Sequence, residues 1–199
     1  PDVIHTFLRR GPRYVAQIPS GPAHFCTLHL SLNGPHYLRS DGIFCISEWQ
    51  LATVPPTYRG RVFLLPNSLV PLPRLDAAQV RRLRAEFGAD DDTFLVGGVG
   101  RLVRGKGFDV LVRAFEAAEL PGAGLVIVGE GYMRPDVVAT IEAVGGQSWV
   151  HMAGHVSDDE LIDLYRSAWC VASASEREGW GMTMTEAAAC GTPAVATDI

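Results

Sequence analysis

Short, unbroken apolar runs recur along the chain, and the stretches between them carry their apolar residues at helical spacing. Nine runs read as strands, over residues 2–5, 24–28, 42–46, 61–65, 93–99, 124–128, 148–152, 170–172 and 194–196. They are continuous rather than alternating, as strands covered on both faces require in a parallel sheet. After Lys106, the residues Phe108, Leu111, Val112 and Phe115 fall on one helical stripe. Ser157-Asp158-Asp159-Glu160 has the form of a capping box. Leu161, Leu164, Tyr165 and Ala168 continue as the apolar stripe of the helix it would start. This alternation predicts an α/β fold, built of α/β units with parallel sheets flanked by helices.

One segment interrupts the pattern. Pro66, Pro71 and Pro73 lie close together, and an Arg-rich helix over 80–87 follows. Residues 65–74 therefore read as a connection between two domains, 1–66 and 67–199. The first strand opens almost at Pro1 and the last ends just before Ile199, so both domains are expected to be partial.

Composition narrows the class. With 199 residues, 47% of them hydrophobic, the chain can build one large core or two modest ones. Its formal net charge of -5 gives no reason to expect nucleic acid as a partner. The charge is uneven: residues 1–66 hold six Arg against three acids, and residues 92–199 hold seven Lys or Arg against fifteen acids. Cys26, Cys45, Cys170 and Cys190 sit in apolar surroundings without metal or redox spacing, which suits reduced thiols in a cytoplasmic protein. No apolar run is long enough to span a bilayer, which leaves peripheral association with a membrane face as a further option.

Ligands of open α/β sheets collect beyond the carboxyl ends of the strands. Three such ends carry polar groups. In Gly97-Gly98-Val99-Gly100-Arg101-Leu102-Val103-Arg104-Gly105-Lys106-Gly107, a strand gives way to a flexible loop and a helix is expected to begin near Lys106. Arg101 and Lys106 flank that loop, and a diphosphate suits a forked donor beside a compact charge. The glycines alone say less, since they miss the G-x-G-x-x-G spacing and the segment lacks a P-loop's lysine-serine/threonine ending. Gly129-Glu130-Gly131 directly follows a strand, where glycine admits a tight turn or a ligand. In Glu176–Glu186 a loop leads into a helix expected to open near Met182 and close at Gly191, with Pro193 beyond it. Amides at Gly181, Met182 and Thr183 could hold phosphate oxygens. Glu178 in the loop could face sugar hydroxyls, and Glu186 one turn into the helix could accept from a ribose diol. Each feature also has a plainer reading, as solvated charge around ordinary turns.

Together these stretches resemble the retaining glycosyltransferases of family 4, glycosyl transferases group 1, which use nucleotide sugars and have the GT-B fold. The matching segments read G-R-L-V-R-G-K-G-F-D, V-G-E-G, G-H-V-S-D-D-E-L-I-D-L-Y and E-G-W-G-M-T-M-T-E-A-A-A-C-G-T-P-A-V-A-T-D. The last holds the family's paired glutamates, Glu178 and Glu186, and Glu176 is out of register with it. D-V-I-H-T, F-C-T-L-H-L-S, G-I-F-C-I-S-E-W-Q and L-L-P-N-S-L-V resemble segments of the acceptor-side domain and the hinge, and the family's active-site histidine falls on His29. The chain departs from the pattern at Phe7, where many members have a second histidine, so His5 is given no catalytic role. It also has Asn67-Ser68 for the usual Asn-Gly, and it lacks the glycine-rich loop of the N-terminal domain.

The resemblance implies transfer of a sugar from a nucleoside diphosphate to a glycan, lipid-linked saccharide or lipopolysaccharide acceptor, with retention of configuration. It puts Arg101, Lys106 and the amides of Gly181, Met182 and Thr183 at the diphosphate, and Gly100 and Gly129 elsewhere against the donor. Glu178 falls at the donor sugar, Glu186 at the ribose, backbone near Val156 at the base, and His29 near the reacting carbon. Arg101 and Lys106 would stand in for a metal, so neither a metal nor another cofactor is expected. The competing expectations are a nucleotide-sugar epimerase of the same fold and a non-catalytic nucleotide-binding module. A nicotinamide-dependent oxidoreductase is more distant, because the glycine fingerprint fails despite Glu130.

Overall fold

A computed structural model describes residues 2–7, 10–18, 20–32, 34–69, 75–86, 89–90 and 92–199. Pro71, Pro73 and Arg74 of the expected connection, and Phe87 at the end of the expected Arg-rich helix, lie outside the described residues. The chain forms two compact units, Pro1–Ser68 with Glu178–Trp180, and Leu69–Arg177 with Gly181–Ile199.

The first unit is built on four parallel strands in the order β1-β2-β3-β4: Val3–Phe7, Ala23–Leu28, Gly42–Cys45 and Arg61–Leu64. Two short helices, α1 (Arg10–Val15) and α2 (Glu48–Thr53), follow β1 and β3. Cys26, Leu28, Tyr37, Ile43 and Cys45 form the core. Burial pushes the Cys26 thiol up and the Cys45 thiol up to about 11, so both stay protonated and poorly reactive at neutral pH. Gln50 is fully buried, and its Oε1 accepts the Ile46 amide at 2.7 Å, which ties α2 to the end of β3.

The second unit carries five parallel strands: β5 (Phe94–Val99), β6 (Ala123–Val128), β7 (Val150–Gly154), β8 (Cys170–Ser173) and β9 (Ala194–Ala196). Its helices are α3 (Ala77–Glu86), α4 (Phe108–Ala117), α5 (Arg134–Ala143), α6 (Asp158–Ser167) and α7 (Met182–Ala189). The strand order is β7-β6-β5-β8-β9, so the direction of winding reverses between β5 and β8. Val96, Leu102, Phe108, Leu111, Val112, Leu125 and Ile127 belong to the largest core cluster, each such side chain contributing roughly 1.5–3 kcal/mol by its burial. The helical stripe read after Lys106 faces this core, with Phe115 packed against its edge.

Local signals set the ends of these elements. Ser157 and Glu160 cap α6 reciprocally, as their spacing predicts. The α7 helix closes in a Schellman motif, with the Gly191 amide on the Ala188 carbonyl at 3.0 Å and the Thr192 amide on the Ala187 carbonyl at 2.9 Å. Three expectations shift. The helix expected near Lys106 begins at Phe108, because Gly107 takes a left-handed N-cap conformation (φ 64). The Arg-rich helix begins earlier, at Ala77, because the Asp76 carboxylate accepts the Ala78 and Gln79 amides. The strand expected over 148–152 is displaced to Val150–Gly154, because Gly146–Ser148 form a 3-10 turn ahead of it. Among the described residues no helix is long and apolar enough to cross a membrane.

Candidate functional site

The strand order reverses between β5 and β8, and the carboxyl ends of the strands at such a reversal are the place where sheets of this type hold ligands. The two loops that lead out of these strands carry most of the polar residues singled out above. They are joined by backbone: the Glu176 amide donates to the Gly105 carbonyl at 2.9 Å. The loop after β6 closes on the same region, with the Gly100 amide on the Val128 carbonyl at 3.0 Å and the Leu102 amide on the Glu130 carbonyl at 2.9 Å. At Gly129 a Cβ would lie 1.9 Å from the Gly100 carbonyl oxygen, and φ is 136, so only glycine permits this approach.

Arg101 follows β5 by two residues and is exposed. Among the described residues its guanidinium has no hydrogen-bond or ion-pair partner. Lys106 is half-buried one residue ahead of the Gly107 cap. The α7 helix opens at Gly181, whose left-handed conformation (φ 83) turns the chain into the helix. The Met184 and Thr185 amides and the Thr185 hydroxyl all bond the Gly181 carbonyl at 3.1 Å. The Met182 and Thr183 amides precede the first intrahelical bond and form the positive end of the helix dipole. Val156, beyond β7, is half-buried against a cluster that includes Val126, Val128 and Leu164.

Glu186 lies on the second turn of α7, and its Oε2 accepts a hydrogen bond from the Tyr165 hydroxyl at 2.8 Å. Sequence reasoning placed Tyr165 in the apolar stripe of α6 and missed this contact. The signal was the residue type, because a tyrosine at a core position needs an acceptor for its hydroxyl.

His29 and Glu178 belong to the first unit. His29 is half-buried just past β2, with the Phe7 ring 6.1 Å from its own. A Cβ at Gly179 would lie 1.9 Å from the His29 carbonyl oxygen, so the glycine between Glu178 and Trp180 is imposed by close packing. His5 bonds Thr27 Oγ1 through Nε2 at 2.8 Å. Among the described residues no group of three or more His, Cys, Asp or Glu is placed to hold a metal ion.

The second unit therefore brings Gly100, Arg101, Lys106, Gly129, the α7 opening and Glu186 onto the carboxyl side of one sheet, an arrangement suited to an anion flanked by hydroxyl groups. The chain is 37% identical over 121 residues to the D-inositol 3-phosphate glycosyltransferase of Mycolicibacterium smegmatis, a match that covers 58% of this chain and 27% of that protein. It is also 37% identical over 117 residues to an uncharacterised glycosyltransferase of Methanocaldococcus jannaschii, covering 58% of this chain and 30% of the relative. The chain thus spans under a third of the length of these relatives. Among solved structures, Anabaena HepE in complex with UDP and glucose superposes with a TM-score of 0.83 at 20% identity, covering 98% of this chain and 59% of that one. Sucrose-phosphate synthase from Thermosynechococcus elongatus gives 0.82 at 22% identity, covering 100% and 56%. These likenesses establish the GT-B fold. The model of the glycosyl transferases group 1 family matches residues 79–199, a stretch holding the whole second sheet with its Arg–Lys loop and paired glutamates, and the chain belongs to that family.

Proposed function

We propose that this chain is the donor-binding part of a retaining glycosyltransferase that moves a sugar from a nucleoside diphosphate to a saccharide or lipid-linked acceptor. One observation carries the reading: the loops after β5 and β8 are joined by backbone where the strand order of the second sheet reverses, and Arg101, Lys106 and the start of α7 all belong to those two loops or follow them directly. Cleavage of the donor leaves positive charge on the sugar and negative charge on the diphosphate. Arg101 and Lys106 stabilise the leaving group together with the Gly181, Met182 and Thr183 amides, doing the work a divalent ion does elsewhere. Gly100 and Gly129 let backbone approach the donor.

In this reading Glu186 accepts from the ribose, backbone near Val156 takes the base and Glu178 takes the donor sugar. His29 contacts the donor sugar or the acceptor near the reacting carbon. The acceptor attacks from the face the diphosphate leaves. Anabaena HepE, which shares this fold, forms a complex with UDP and glucose, and this supports a uridine donor here. Calorimetry of the protein with UDP, GDP and ADP tests the reading. One nucleotide is expected to bind at least about tenfold more tightly than the others, which corresponds to about 1.4 kcal/mol. Equal binding of all three, or of none, would overturn it.

A further inference from the structure

Behind the candidate site, a phenol reaches from one helix to a carboxylate on the next. Tyr165 is 1% exposed and packs with Val171 and Ala187, with Met184 and Cys190 at the edge of the cluster. A hydroxyl this deep must find an acceptor, and the one it finds is Glu186 Oε2 at 2.8 Å. The backbone around the tyrosine is held as well: its carbonyl accepts the Thr192 hydroxyl, and the Thr192 amide returns to the Ala187 carbonyl at 2.9 Å. The end of α6 is thereby tied to both the middle and the end of α7. Burial, then the bond to Glu186, pushes the phenol well above the ordinary tyrosine range, so it remains a donor at every working pH. A glutamate side chain is otherwise rich in rotamers, and fixing it before a ligand arrives removes an entropic cost of binding.

We infer that Tyr165 is a positioning residue, which holds one oxygen of Glu186 so that the other is presented to the vicinal diol of a nucleotide ribose. The inference rests on the ribose role proposed above for Glu186. It explains why a tyrosine occupies a core position that phenylalanine would fill equally well by volume.

The experiment is calorimetry of wild type and Tyr165→Phe with UDP, GDP and ADP, and with the 2′,3′-dideoxy form of each. Wild type is expected to bind its preferred nucleotide at least about tenfold more tightly than the dideoxy form. Tyr165→Phe should lose most of that preference while binding the dideoxy nucleotide as wild type does. Thr192→Val serves as the structural control. It removes a bond in the same buried cluster and leaves the hydroxyl–carboxylate contact, so it should lower thermal stability and keep the preference for the diol. Equal weakening of both nucleotide forms by Tyr165→Phe would show a merely structural tyrosine and overturn the inference alone. Failure of wild type to bind any of the nucleotides, or to distinguish the dideoxy forms, would overturn the reading of Glu186 and the inference with it.

Discussion

Two arginines of the second unit are put to opposite uses at opposite ends of its sheet. Arg84 on α3 is 6% exposed and gives its donors to backbone carbonyls: Ser167 at 2.9 Å, Asp90 at 3.1 and 2.7 Å, and Thr93. The Trp169 ring lies 5.8 Å from its guanidinium carbon. Arg101, past the carboxyl end of β5, is exposed and makes no such bonds among the described residues. A buried cation is tolerated only when its donors are satisfied, so Arg84 joins α3, α6 and the approach to β5 and has little left to offer a ligand. Arg101 keeps its whole fork available. The residue type is the same at the two sites, one in an Arg-rich helix and the other in a glycine-rich loop, and burial separates a structural cation from one ready for an anion.

That contrast can be broken from either side. Arg101→Ala should cut the rate of sugar transfer by at least about 100-fold, as loss of a leaving-group donor does, while the melting temperature shifts by no more than about 2 °C. Steady-state kinetics and a thermal melt on the same preparation check both halves, and an active variant would remove the residue from the chemistry. Arg84→Met should do the reverse. It leaves carbonyls without donors and should cost about 3 kcal/mol of unfolding free energy in a denaturant titration, with nucleotide affinity unchanged. If nucleotide binding fell and stability held, the division between the two arginines would be wrong.

A third, smaller effect sharpens the comparison in the first unit. His24 is buried like Arg84, with Nε2 2.8 Å from Thr6 Oγ1 and its amide on Asp41 Oδ2 at 2.8 Å. Unlike arginine it can shed its charge, and burial does lower its pKa, against an opposing pull from Asp41 and with a small further lowering from His5. The unfolded chain therefore takes up the proton first as pH falls. The stability contributed by the neutral ring is complete above the ordinary histidine value and is lost as pH drops through it toward the folded one. Urea midpoints at pH 7.5 and 5.5 should show a decline in wild type that is shallower in His24→Gln. Identical declines would mean that other groups carry the acid sensitivity.

Much of this molecule was readable before its structure, wherever the deciding interactions are local. Continuous apolar runs placed β5, β6 and β8 because a buried strand must be apolar on both faces. Ser157 and Glu160 predicted the start of α6 because a capping box closes within one turn. Displacement of the seventh strand to Val150–Gly154 marks the limit of such reasoning. Trp149 reads as a strand residue, yet its ring stacks on Phe115 of α4 at 5.2 Å and the chain turns before it.

The residue pattern by itself determined an α/β chain of parallel strands, the loops that bear Arg101, Lys106, Glu178 and Glu186, and the family they resemble. Only the tertiary structure decided that β5 pairs with β8, which sets two loops some seventy residues apart side by side. It likewise decided that Glu178–Trp180 groups with the first unit, that Arg84 is buried, and that Tyr165 holds Glu186. Periodicity and capping are energies of neighbours along the chain. Strand order and the partner of a buried polar atom are settled by how whole layers pack, and no local stretch of sequence carries that information.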